Sequence, residues 1–224
     1  MKKNEILKLL YVSKDYEKLK KICTKENTPW YMGILAKALF NEKKYEEAAK
    51  VYFKLGKLYE SGYCLLLSGD LKNAKKIWYS LPNTTPVIEW GKALLGFLEK
   101  RPTEAPTYFQ IRNFLEQDLD ELLSANLITY AENLINSIDK LAEVNSESYK
   151  YMARVLTNHK YYNVARTFLE HSKSIFYQDP ETHFLLGKIH LQKGNKDAAK
   201  ESLSKAIEIN SGYFPAKKLL ETIK

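Results

Sequence analysis

Cysteine is nearly absent from this chain. Cys23 and Cys64 are its only two, far apart and without paired spacing, which excludes a disulfide framework and a zinc site made by cysteines alone. Free thiols on apolar helix faces fit a reducing compartment, so a cytoplasmic location is the expectation. Glycine and proline are also scarce, at 9 and 7 residues, which argues against a low-complexity or disordered chain and for an ordered, helix-rich one. No long apolar run exists. The longest, Val87 to Leu98, is interrupted by Glu89 and Lys92 and is too short to span a bilayer. Met1-Lys2-Lys3 is basic, but Lys8 interrupts the apolar residues that follow, so no signal peptide is expected. Arginine is missing altogether from residues 1–100. It is the residue best suited to bidentate recognition of phosphates and bases, so its absence counts against specific nucleic-acid recognition there.

Lysine, in contrast, is plentiful and unevenly placed. Residues 1–100 carry 19 lysines and 11 acids, residues 101–145 carry 3 basic and 8 acidic residues, and residues 146–224 carry 13 and 8. An acidic middle thus lies between two basic ends, a pattern able to orient a charged partner.

One stretch near the end organises the rest. Asp179-Pro180 opens a helix whose apolar side carries Phe184, Leu186, Gly187 and Leu191; Gly194-Asn195 breaks it; Ala198, Ala199, Leu203, Ala206 and Ile207 form the stripe of a second helix. Ala199 follows Gly187 by twelve residues, then come Leu203 and Ala206. This pattern resembles a tetratricopeptide repeat.

Weaker copies precede it. Small contacts at Ala36, Gly62, Ala93 and Ala153 stand where Gly187 stands, and Ala48–Tyr52, Ala74–Trp78, Ala105–Phe109, Ala131–Ile135 and Ala165–Leu169 repeat a small-to-large step of four. The first copy is degenerate, with Leu19 in the alanine position, and the fifth has Leu119 as its contact. The spacings of Leu19, Ala48, Ala74, Ala105, Ala131, Ala165 and Ala199 are 29, 26, 31, 26, 34 and 34. Only the last two equal the family's 34-residue period. The expected fold is therefore an all-α solenoid of about seven antiparallel helix pairs with a C-terminal capping helix. It forms a single array over residues 1–224, irregular over 1–145 and most regular over 146–224. Each pair has apolar residues on more than one side and buries them by stacking on its neighbours.

The resemblance implies partner binding on the face lined by the first helix of each pair. In the second to fourth pairs, helical spacing places Trp30, Lys37 and Phe40, then Tyr59, Tyr63 and Leu66, then Trp90, Leu94 and Phe97 there. This aromatic strip is either a groove for a partner segment or the core of a tightly coiled half. Farther on, Lys150, Arg154 and Thr157, then Lys188, with Lys217 and Lys218 nearby, would form a cation cluster suited to an acidic segment. It loosely resembles the family's carboxylate clamp, but Arg154 and Lys188 stand where the clamp has asparagines. Glu116 and Asp120 read as a solvated acidic face. His183 and His190, seven apart, do not have the spacing of a zinc pair.

No phosphate loop, nucleophile motif or dinucleotide fingerprint occurs. No catalytic, cofactor or metal site is expected. The expected function is a non-catalytic protein-interaction scaffold or adaptor holding an acidic or amphipathic segment. The rival is nucleic acid bound by the lysine-rich half.

Overall fold

The structure, a computed structural model, describes residues 2–223. Among these residues it contains fifteen α-helices and no strand, so the chain is an all-α helical-repeat protein. Its contacts divide into two compact units. Unit 1 runs to Thr103 and takes in Ser124–Leu127; unit 2 comprises Glu104–Leu123 and the chain from Ile128 onward.

Unit 1 contains α1 (Lys3–Lys8), which runs into a single π turn, α2 (Tyr16–Glu26), α3 (Pro29–Asn41), α4 (Tyr45–Lys54), α5 (Leu58–Leu67), α6 (Leu71–Ser80) and α7 (Pro86–Leu98). Pro29 and Pro86 open their helices at the first turn, where a missing N–H costs no helical hydrogen bond. Consecutive helices pack on one another from α2 to α7. Unit 2 contains α8 (Tyr108–Ser124), α9 (Ile128–Ile135), α10 (Ile138–Val144), α11 (Ser148–Asn158), α12 (Tyr162–Ile175), α13 (Pro180–Gln192), α14 (Lys196–Ile209) and α15 (Phe214–Glu221).

The hairpin turns share one backbone device. Lys43, Gly69, Lys160 and Gly194 adopt φ of 59°, 88°, 67° and 77° between the first and second helices of their pairs. A left-handed residue stops a helix and returns the chain, and glycine does so without steric cost at two of the four turns.

The predicted alanine row marks the core. Leu19, Ala48, Ala74, Ala131, Ala165 and Ala199 are all 0% exposed. Ala105 is the exception, and it overturns the fourth pair. Residues 101–107 form no helix, Ala105 is exposed, and Phe109, the large residue of that pair's step, is 67% exposed. The reason is local. Pro102 and Pro106 disfavour helical backbone at the residues before them, so the next helix waits until Tyr108. There Thr107 and Gln110 cap it reciprocally: the Thr107 N–H donates to Gln110 Oε1 at 2.7 Å, and Thr107 Oγ1 accepts from the Gln110 N–H at 3.3 Å. Pro106 therefore lies outside the helix.

Close approach is built from glycine and tryptophan. Trp78, 0% exposed, donates from Nε1 to the Tyr59 carbonyl at 3.0 Å and stacks on Tyr59 with centroids 5.1 Å apart. A Cβ on Gly62 would meet Trp78 Nε1 at 2.4 Å, so only glycine lets α5 and α6 close. Gly187 plays the same part in unit 2, where an added Cβ would stand 2.8 Å from Leu203. Ala216 and Ile223 join Ala199, Leu203 and Ala206 in one buried cluster, with Leu219 and Leu220 packed on it. That is the capping role expected of the last helix. Both cysteines are buried, and burial pushes the Cys23 thiol up to about 11, leaving it protonated and unreactive at neutral pH.

Candidate partner-binding site

The two groups of predicted contacts meet different fates, and each lies within one unit.

In unit 1 the aromatic strip is partly core. Trp90 and Leu94 are 0% exposed, Leu66 is also 0%, and Phe97 is 6%, so Trp90 and Phe97 are corrected from surface contacts to packing residues. The cause is the apolar surroundings of α7, where every residue from Ala93 to Leu98 is buried. Phe40, Tyr59 and Tyr63 remain half-buried and stack in sequence, with centroids 6.4 Å apart for Phe40–Tyr63 and 6.3 Å for Tyr59–Tyr63. Trp30 is half-buried, edge-on to Tyr31 at 4.9 Å and beneath Lys3 at 5.2 Å. Lys37 is exposed and donates to the Tyr11 hydroxyl at 3.3 Å.

In unit 2 the structure brings Lys150 and Arg154 together, and supplies partners that the sequence reading did not assign to them. Lys150, 9% exposed, lies 2.9 Å from Glu147 Oε1 and 3.1 Å from Asp179 Oδ2. Arg154 spans two helices: Nη2 is 2.8 Å from Glu181 Oε1 on α13, and Nη1 meets Glu116 Oε2 on α8. Glu116 is thus an ion-pair partner rather than part of a solvated acidic face. Asp120 likewise faces His159 Nε2 at 2.8 Å. Thr157 turns back to the Ala153 carbonyl at 2.7 Å. Lys188 lies 5.9 Å above the Phe184 ring, and Lys217 and Lys218 are exposed on α15.

The expected cation cluster is therefore already neutralised. Lys150 and Arg154 face four carboxylates, Glu116, Glu147, Asp179 and Glu181. Burial opposes the charged form of Lys150, but Glu147 and Asp179 outweigh it and hold the amine above its ordinary value. Burial also pushes Asp179 up; the Thr182 hydroxyl and Lys150 outweigh it and hold the carboxyl below the usual range. A hydrogen bond from Lys150, then one from the Tyr151 hydroxyl, lowers Glu147. Asp179 also caps α13, accepting from the N–H groups of Glu181 and Thr182 at 3.2 and 3.3 Å.

The pH dependence follows from these directions. Asp179 and Glu147 bind protons more readily unfolded, so their stabilisation is present above the ordinary carboxylate range and lost as pH falls through the folded values. Lys150 acts oppositely, its contribution fading only as pH rises through its raised value. The urea midpoint of unit 2 is expected to fall between about pH 5 and about pH 3. Lys150→Met should flatten that fall, since both carboxyls lose the neighbour that lowers them. Equal acid sensitivity in the two proteins would contradict this assignment.

Flanking the network are Phe184 and Tyr213, half-buried and edge-to-face at 5.7 Å, and Tyr151, whose hydroxyl donates to Glu147 Oε2 at 2.7 Å. Arg154 lies 5.8 Å over the Tyr151 ring. Residues 180–213, which cover α13 and α14, match the family model of the tetratricopeptide repeat. The chain is a tetratricopeptide-like helical-repeat protein. Over 205 residues, 88% of its length, it is 25% identical to the TPR repeat-containing protein MJ1428 of Methanocaldococcus jannaschii, and it spans 35% of that relative. Among solved structures it is similar to YrrB, described as a TPR protein with an unusual peptide-binding site. The TM-score is 0.43 and the identity 14%, covering 91% of this chain and 97% of that one. It is also similar to the Cut9–Hcn1 hetero-tetramer of the APC/C, with a TM-score of 0.39, 14% identity and coverage of 97% and 48%.

Tetratricopeptide-like arrays generally serve as protein-interaction scaffolds, presenting extended binding surfaces built by stacking. Within unit 2, α11 and α13 are the first helices of their pairs, and Arg154 ties them to α8. Neither Asp179 nor Glu181 was recognised from sequence as part of the cation site, because Asp179-Pro180-Glu181 reads there as a helix start. Glu147 carries the one legible signal, standing at the N-cap of α11, three residues before Lys150. Among the described residues no group of three or more metal-binding side chains occurs, and no helix is long and apolar enough to cross a membrane.

Proposed function

We propose that the chain is a non-catalytic scaffold that holds an amphipathic segment of a partner protein on the face formed by α8, α11 and α13. The observation that carries this reading is Arg154, fixed by Glu181 on one side and Glu116 on the other. It sets a rigid polar row beside the half-buried rings of Phe184 and Tyr213. Such a row needs no reordering on binding, so little side-chain entropy opposes association. The rings offer the segment's apolar side a hold. Four carboxylates against Lys150, Arg154 and Lys188, the last lying over the Phe184 ring, leave one negative charge in surplus, so the segment's polar side is better matched by lysine or arginine than by acids.

A displayed peptide library selected on the intact chain tests this. Selected peptides should be amphipathic and carry basic residues. Phe184→Ala should weaken them by about tenfold, while Phe53→Ala, on a helix of unit 1, should leave them unchanged. Peptides indifferent to Phe184 and to Arg154→Ala would overturn the assignment of this face.

A further inference from the structure

Nearly half of the cations of unit 1 sit on one set of helices. The second helices α2, α4 and α6 carry nine lysines against four glutamates. In unit 2, α9, α10, α12 and α14 carry six cations against seven carboxylates. A merely solubilising surface would intersperse both signs in both units. More than half of the positive excess of unit 1 falls on these three helices, a net of five charges out of nine.

Few of these lysines are engaged. Lys20 pairs with Glu17 and Glu42, and Lys75 with Glu99. The other seven, among them Lys50, Lys54, Lys72 and Lys76, are exposed, and none has an ion-pair partner among the described residues. The three helices follow one another. Glu42, just before α4, holds Lys20 of α2 at 3.0 Å. Helix α5 is tied to α4 by Ser61 Oγ donating to the Ala49 carbonyl, and to α6 by the Trp78–Tyr59 hydrogen bond.

Aromatic rings stand among the lysines. Burial of Ala48, Ala49 and Tyr52 turns the opposite side of α4 outward. There Phe53 is 57% exposed, with Lys50 three residues before it and Lys54 beside it. On α6, Tyr79 is 50% exposed three residues after Lys76. Exposed rings flanked by unpaired ammonium groups match unstacked bases joined by phosphates. An acidic protein surface would use the lysines but have no need of the rings. Arg101, the single arginine of unit 1, is held by Glu99 and by the Tyr79 hydroxyl, so no arginine stands free to read base edges, and what remains is recognition of the polyanion and its rings.

We propose that this side of unit 1 binds single-stranded nucleic acid without sequence preference, its lysines meeting phosphates and Phe53 and Tyr79 stacking on bases. This surface belongs to unit 1, and the peptide-binding face proposed above belongs to unit 2.

Fluorescence anisotropy with labelled oligothymidylate and oligouridylate of about twenty nucleotides tests the proposal. Both should bind at about 50 mM salt. With four or five phosphate contacts, affinity should fall roughly fifty-fold by about 200 mM. Lys50→Glu with Lys54→Glu should weaken binding at least about tenfold, and Phe53→Ala about tenfold. Lys196→Glu with Lys200→Glu, on α14, should leave it unchanged. Circular dichroism confirms that each variant is folded. No binding at low salt would overturn the proposal. So would indifference to Phe53, equal competition by polyglutamate, or binding to anionic vesicles in place of the oligonucleotides. The last two outcomes would reassign the surface to an acidic protein or to a membrane.

Discussion

Trp78→Ala is expected to lower the stability of unit 1 by about 3–5 kcal/mol. The indole is fully buried and bounded by three helices. It stacks on Tyr59, and added Cβ atoms on Gly62 and Gly91 would meet it at 2.4 and 3.2 Å. Alanine would leave a cavity that the glycines cannot refill, because they have no side chains to move into it. The hydrogen bond to the Tyr59 carbonyl is lost as well, worth about 1 kcal/mol of the total. The denaturant midpoint should drop, with hydrogen-exchange protection lost first in α5, α6 and α7. Trp78→Phe retains most of the ring contact and should cost about a third as much. If alanine and phenylalanine proved equally costly, packing would not be the reason for this residue.

Gly187→Val is the second large effect, at about 3 kcal/mol. Its Cβ alone would stand 2.8 Å from both Cγ and Cδ2 of Leu203, a side chain with no exposed surface to yield into. Helix propensity opposes this cost only slightly, since replacing a helical glycine by valine gains about 0.3 kcal/mol. Gly33 separates the two effects. It also lies inside a helix, but nothing is within 4 Å of its Cβ position, so Gly33→Ala should raise stability by about 0.5–1 kcal/mol. A urea titration of the variants beside the parent chain decides the matter. Stabilisation by Gly187→Val would mean that α13 and α14 do not need their close approach.

The sequence carried the repeat plan because the plan is local. A hairpin of two helices needs a stop between them and a small residue at their crossing, and both are short-range patterns. Gly194-Asn195 marked a turn that the structure contains. Ala48, Ala74, Ala165 and Ala199 marked fully buried contacts. The fourth pair failed where two local signals competed. The step from Ala105 to Phe109 looked helical, but Pro102 and Pro106 lie around it, and their steric restriction prevailed. Half of the aromatic strip was legible in the same limited sense. Spacing placed Tyr59 and Tyr63 with Trp90 and Phe97 on one kind of helix face, but could not say how deeply each would be covered.

What the sequence determined by itself, then, was helix content, the turn positions and the residues that let paired helices touch. Tertiary structure decided which side chains remained accessible and which charges remained free. Lys150 and Arg154 appeared in the sequence as cations available to a partner. Folding brought Glu116 and Glu181 to Arg154 from 38 and 27 residues away, and Asp179 to Lys150. Helical periodicity orders residues within one helix and carries no information about which carboxylate on another helix will face them. Only stacking sets that distance, and with it the difference between an open cation site and a neutralised one.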